Sequence, residues 1–235
     1  MRPTAFLCSV LAAALCATLA ACAGPTDGSP PDGQDQGDFS ESGLPSTGLA
    51  RAASGQASDE LTSSENFHLK AGEHGAEEGG LRALHLGVKQ DRTLRFKVKF
   101  SANVPYTTRA ASNQSDWNKL MGITTNRIHR NSIRLGWAWN PTSGQVDLGY
   151  YGYTQGTRTM PKLTSVALET WVDVEIHLDN GGERVIAGGI KHEERSSLGL
   201  SGWIPTMTWV LCTAYFGGDE KAPHDMDVQV KDLSL

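Results

Sequence analysis

Cysteine is scarce in this chain, and most of it is spent before any fold begins. Of four cysteines in 235 residues, Cys8 and Cys16 lie inside the N-terminal apolar run and Cys22 closes it. That leaves Cys212 alone, so no intramolecular disulfide can brace the rest, and stability must come from a packed core. Cys212 sits in the apolar run Trp209-Val-Leu-Cys-Thr-Ala-Tyr-Phe216 and reads as a buried small hydrophobe rather than a nucleophile. A basic excess is missing as well. The net charge is −5; Arg2 contributes +1 and residues 23–64 hold −6 (seven acids against Arg51), which leaves 65–235 neutral. A neutral domain excludes nucleic acid as a partner, because phosphate binding needs clustered positive charge. Also lacking are a second long apolar run, a repeat of solenoid period and any convincing helix of ten residues.

The one long apolar run, Ala5 to Ala21, is short and alanine-rich for a membrane span. It ends in Leu19-Ala20-Ala21-Cys22, small residues followed by a thiol. This resembles the lipobox of bacterial lipoproteins, in which the mature chain starts at the lipidated cysteine, here Cys22. The resemblance implies a signal peptide over 1–21, export, and a lipid anchor in a membrane. Residue 23 is Ala rather than the Asp associated with inner-membrane retention. That points to the outer membrane or the cell surface of a bacterium.

From 22 to about 64 the chain is Gly, Pro, Ser, Asp and Gln with scarcely an aromatic residue. Such a segment buries too little apolar surface to offset its ordering entropy and is expected to be a disordered acidic linker. A flexible chain of that length spans ~35 Å root-mean-square. The remaining 65–235 forms one domain, and at about 170 residues a single core is feasible.

Within that domain the hydrophobic period is two. Leu94–Phe100, Ile133–Trp139, Val146–Tyr150 and Val172–Leu178 alternate apolar with polar residues. Further strands are expected at Leu81–Val88, Arg184–Ile190, Met207–Phe216 and Met226–Leu233. Turn signals fall at Asn140–Gly144, Asp179–Gly182 and Gly217–Asp219. Eight or more short antiparallel strands predict an all-β, two-sheet antiparallel sandwich.

Trp117-Asn-Lys-Leu-Met-Gly-Ile123, Asn131–Trp137, Tyr150-Tyr-Gly-Tyr153, Trp171 and the closing Tyr215–Met226 resemble the strands of concanavalin A-like jelly rolls, and in particular polysaccharide lyases and glucanase-like domains. The resemblance covers roughly 66–235 and implies a jelly-roll fold. That superfamily holds lectins, hydrolases and lyases, so fold alone does not choose among them. The paired carboxylates of glycoside hydrolysis, Glu-x-Asp-x-x-Glu in glucanases of this fold, are missing. The nearest approach, Asp173 and Glu175, reads as a solvated outer face. The arginine-rich and Gln-x-His motifs and the Tyr-Phe-Lys-Ala-Gly segment of alginate lyases are missing too.

Three readings remain open. The first is a glycan-binding jelly roll, with Tyr151, Tyr153, Arg134 and His177 as ligand contacts on the wet face opposite the core, and Trp137, Trp139 and Trp209 in the core. The second is a lyase cleaving a uronate polymer by β-elimination, with Arg134 neutralising the carboxylate and Tyr151 and Lys119 as further catalytic candidates. Lys97 and Asp147 are placed on the same wet face, with Lys119 and His129 in or near loops. The third is a surface interaction domain without a sugar ligand. No cofactor is expected. A structural Ca²⁺ is considered at Ala222–Asp227, but a turn in which Asp225 caps backbone amides explains the motif better.

Overall fold

The computed structural model describes residues 65–76, 82–85, 92–124, 128–179, 182–194 and 209–234. The expected signal peptide, Cys22 and the linker lie outside them. Two antiparallel sheets and a short 3-10 helix, Ala111–Ser115, make up the regular structure of the described residues. The six-stranded sheet has the order β1 (Glu65–Leu69), β13 (Met226–Ser234), β3 (Arg92–Phe100), β9 (Val172–Asp179), β10 (Gly182–Ala187) and β11 (Ile190–Glu194). The seven-stranded sheet runs β2 (Arg82–His85), β12 (Trp209–Cys212), β4 (Asn118–Thr124), β5 (Asn131–Asn140), β6 (Gln145–Thr154) and β7 (Thr157–Thr159), with β8 (Lys162–Val166) also paired to β6. Successive strands from β1 to β4 alternate between the sheets, as do β11 to β13. The expected two-sheet jelly-roll sandwich is borne out.

Alternation explains which side of each strand faces the core. Leu94, Phe96, Val98 and Phe100 of β3 and Val174 and Ile176 of β9 meet Ile133, Leu135 and Trp137 of β5 and Val146, Leu148 and Tyr150 of β6. Trp137 is fully buried, its ring 5.3 Å from that of Phe100. Trp139 is partly buried against the same core. Each large apolar side chain buried this way contributes ~1.5–3 kcal/mol. The side chain of Trp209 lies outside the described residues. Cys212 is a free thiol, partly buried and packed against the core.

The Asn140–Gly144 turn joins β5 to β6 through local chemistry. Asn140 Oδ1 accepts from Thr142 N and Ser143 N, and Gly144 takes a positive φ of 64°. In β4 the register shifts between Lys119 and Gly122, so Leu120 and Met121 both reach the core and the outward set resumes at Gly122.

Candidate functional site

The outer face of the seven-stranded sheet collects the chemistry-bearing residues. With Ile133, Leu135 and Trp137 turned to the core, Ser132, Arg134 and Gly136 of β5 face the other way. Their partners on β6 are Tyr153, Tyr151 and Gly149. On the other side of β5, the bulge in β4 places Gly122 opposite Arg134 and Lys119 opposite Gly136. Arg134 needs that glycine, since a Cβ at position 122 would lie 2.6 Å from its Cγ. An isolated bridge pairs Lys119 with Tyr215, and another pairs Tyr215 with Gly75.

Tyr151 is the centre of this array. The Arg134 guanidinium carbon is 4.9 Å from its ring centroid and the Lys119 ammonium is 5.2 Å from it. Lys119 also lies 5.0 Å from the centroid of Tyr215. Tyr153 packs edge-on to Tyr151 at 5.9 Å and meets His129 at 5.4 Å. A cation over a desolvated aromatic face gains ~2 kcal/mol, which fixes both charges in place. Arg134 and Tyr151 are each 1% exposed, Lys119 5%, Tyr215 7% and Tyr153 8%. The expectation of a wet face is therefore corrected. These residues do lie opposite the core, but they are buried, forming the floor of the site.

His74 was not foreseen. Its ring stacks on Tyr215 with centroids 5.3 Å apart and planes at 11°. Its Nδ1 is 2.9 Å from the Phe216 carbonyl oxygen, which can only accept, so Nδ1 carries the proton. The 71–76 segment is laid along 214–216 by two backbone bonds, Phe216 N to His74 O at 2.7 Å and Ala76 N to Ala214 O at 3.0 Å. Tyr215 was within sight of sequence reasoning, because it alternates with core residues Ala214 and Phe216. His74 carries no periodic signal.

The structure does not bring His177 to this site. It belongs to β9 in the other sheet, where its Nδ1 meets Thr93 Oγ1 at 3.0 Å and its Nε2 meets Glu175 at 2.8 Å. Lys97 is on that sheet as well, between Asp173 at 3.7 Å and Asp232 at 3.5 Å. Arg95 pairs with Glu175 at 3.7 Å, so Asp173 and Glu175 are members of a charge ladder on a solvated face, as expected. Alternation reports that a residue points away from the core, but not which sheet it belongs to. Asp147 is on the same face as Tyr151, two outward positions along β6. It is tied to Lys162 at 2.8 Å, Ser165 at 2.7 Å and Asn140 at 3.1 Å. Burial alone would raise its carboxyl; these three partners outweigh it and hold the carboxyl below its ordinary value.

The Ala222–Asp227 motif makes protein contacts. Asp225 Oδ1 accepts from Ala71 N at 2.9 Å, and Asp227 meets His68 Nδ1 at 2.9 Å and Asn103 Nδ2 at 2.7 Å. The capped amide belongs to the segment after β1, far away in sequence.

No protein-family model and no curated protein matches the chain. Solved structures do. One is the alginate lyase A1-II', a member of polysaccharide lyase family-7, at 14% identity, 64% of this chain, 63% of that chain and a TM-score of 0.46. A second is the PL7 alginate lyase AlyA1 from Zobellia galactanivorans, at 16% identity, 67% and 66% coverage and 0.45. A third is the alginate lyase from Klebsiella pneumoniae, at 13% identity, 61% and 59% coverage and 0.48. The match spans less than two thirds of each of those proteins.

Proposed function

We propose that the outer face of the seven-stranded sheet takes an acidic polysaccharide and cleaves it by β-elimination. One observation carries this reading: Lys119 and Arg134 share the ring of Tyr151, and Lys119 also touches the ring of Tyr215. Two fixed positive charges beside two phenols suit a uronate unit. The cations take up the carboxylate charge, which makes the neighbouring C5 proton acidic. A phenolate or imidazole removes that proton, the electron pair forms the C4–C5 double bond, and the C4–O bond breaks. The departing oxygen takes a proton from a phenol. Tyr215, stacked on His74 and in contact with Lys119, is assigned the proton transfer, although its hydroxyl is buried; Tyr151 and Arg134 form the floor.

The test is direct. Full-length protein is incubated with alginate, polygalacturonate and polyglucuronate, and the unsaturated uronate product is followed in the ultraviolet. Tyr215→Phe should lower kcat by about a hundred- to ten-thousand-fold. A protein that forms no unsaturated product on any of them refutes the lyase.

Glycan binding without cleavage is the second reading, and the burial of the Tyr215 hydroxyl, the group the elimination would need, favours it. It predicts retention of polymer with no product. In both readings we infer that lipidation at Cys22 holds the domain at the bacterial envelope, with 22–64 as spacer.

A further inference from the structure

We propose that Trp117 is the stacking platform for the sugar unit next to the one held by Lys119 and Arg134, an inference that rests on the polysaccharide reading of this face. Trp117 and Lys119 are two apart, and Asn118 between them turns inward. Asn118 is 1% exposed; its Nδ2 donates to Tyr106 Oη at 3.0 Å and its Oδ1 accepts from Gly217 N at 2.7 Å. That clamp fixes the backbone from which Trp117 projects.

The benzo ring of Trp117 is seated on a pair of glycines. Gly136 and Gly149 face each other across β5 and β6, two adjoining strands inside the sheet. A Cβ on Gly136 would come 3.0 Å from Trp117 Cε3, and one on Gly149 would come 2.6 Å from Cη2 and 2.9 Å from Cζ3. Neither glycine is among those with positive φ, so backbone freedom is not the reason for them. Glycine within a strand weakens it, and it persists where something must approach closely. Here the close neighbour at both positions is the indole, joined at Gly149 by the Pro161 carbonyl oxygen at 2.8 Å. Yet the indole is only partly buried, unlike Trp137 in the core.

The spacing fits a polymer. The Gly136–Gly149 pair is two residues along both strands from the Arg134–Tyr151 pair. At ~3.4 Å per residue that is ~7 Å, which puts the indole within reach of a sugar unit adjoining the one above the cations. An indole offers a broad apolar surface for the C–H face of a pyranose, while the cations beside it take the carboxylate of the next unit.

The experiment compares full-length wild type, Trp117→Ala and Trp117→Phe on oligouronates from disaccharide to hexasaccharide. Trp117→Ala should raise KM for the hexasaccharide about tenfold, the loss of one aromatic stack, with kcat little changed and the shortest substrate unaffected. Trp117→Phe should give a smaller rise with the same length dependence. Tryptophan emission should shift with hexasaccharide in wild type and not in Trp117→Phe, which carries the test if the alanine variant does not fold. An unchanged KM, or an equal rise at every length, overturns the platform. If wild type yields no unsaturated product, the lyase has failed separately. Retention of the same variants in a polyuronate affinity gel then decides: weaker retention of Trp117→Phe than of wild type supports the platform, and equal retention overturns it.

Discussion

Tyr151 carries on its ring the guanidinium of its own cross-strand partner, Arg134, with 4.9 Å between the guanidinium carbon and the ring centroid. Lys119 approaches the same ring at 5.2 Å, so one side chain sets the position of two charges. Tyr151→Phe keeps the ring and should cost no more than about 1.5 kcal/mol, the worth of one hydroxyl hydrogen bond. Tyr151→Ala removes the seat of both cations and opens a cavity, at about 3–5 kcal/mol. Urea unfolding of the two variants separates these outcomes.

Acid should weaken the fold through Asp147 and Asp227. Burial by itself would raise both carboxyls. Lys162, Ser165 and Asn140 outweigh it at Asp147, and His68, Asn103 and Asn66 at Asp227, so both are held below their ordinary 3.8. A folded carboxyl with a depressed pKa binds its proton more weakly than the unfolded one. Its stabilisation is therefore complete above 3.8 and is lost as pH falls through the folded values beneath it. Urea midpoints measured from neutrality downward should hold steady and then drop in that window. Asp147→Asn should start lower and drop less.

Gly217 leaves no room for a side chain. A Cβ there would meet the Trp117 carbonyl oxygen and come 3.2 Å from Lys119 Nζ. Gly217→Ala should cost about 1–3 kcal/mol as the backbone shifts, and should move Lys119 away from the tyrosines. A fall in melting temperature together with weaker polyuronate retention is the expected pair of results. A change in only one of them separates packing from site geometry.

The lipidation proposed at Cys22 has its own readout. Cells expressing the full chain and fed labelled palmitate should incorporate the label. Cys22→Ser should abolish incorporation and release the protein from the membrane fraction.

The strands that form the core were legible because their outward residues are polar. β3, β5, β6 and β9 each alternate cleanly, as does β13 up to the irregularity at Lys231–Ser234, and the structure places them where the period of two does. β4 was marked by the jelly-roll resemblance of Trp117–Ile123 and not by alternation, because its bulge sends both Leu120 and Met121 inward and breaks the period of two. β7, β8 and β11 are short and half-exposed, so no apolar face marks them. For the site, Arg134 and Tyr151 were found together because they are neighbours on a hairpin with a clear turn. His177 was misplaced because sheet membership depends on long-range pairing. His74 joins through backbone bonds to 214–216, some 140 positions away, for which no local pattern exists.

That same reach across the chain governs when the domain can assemble. β13 lies between β1 and β3, and it is the strand to which β1 is hydrogen-bonded. Asn66 and Asp227, joined side chain to side chain, are 161 positions apart. The six-stranded sheet therefore stays open, and Phe67 and Leu69 stay uncovered, until residues 226–234 have been made. Topologies dominated by such distant pairings fold slowly. A chain whose first strand waits for its last cannot close this sheet piecemeal during synthesis, so closure is a single late step that needs both ends of the domain at once.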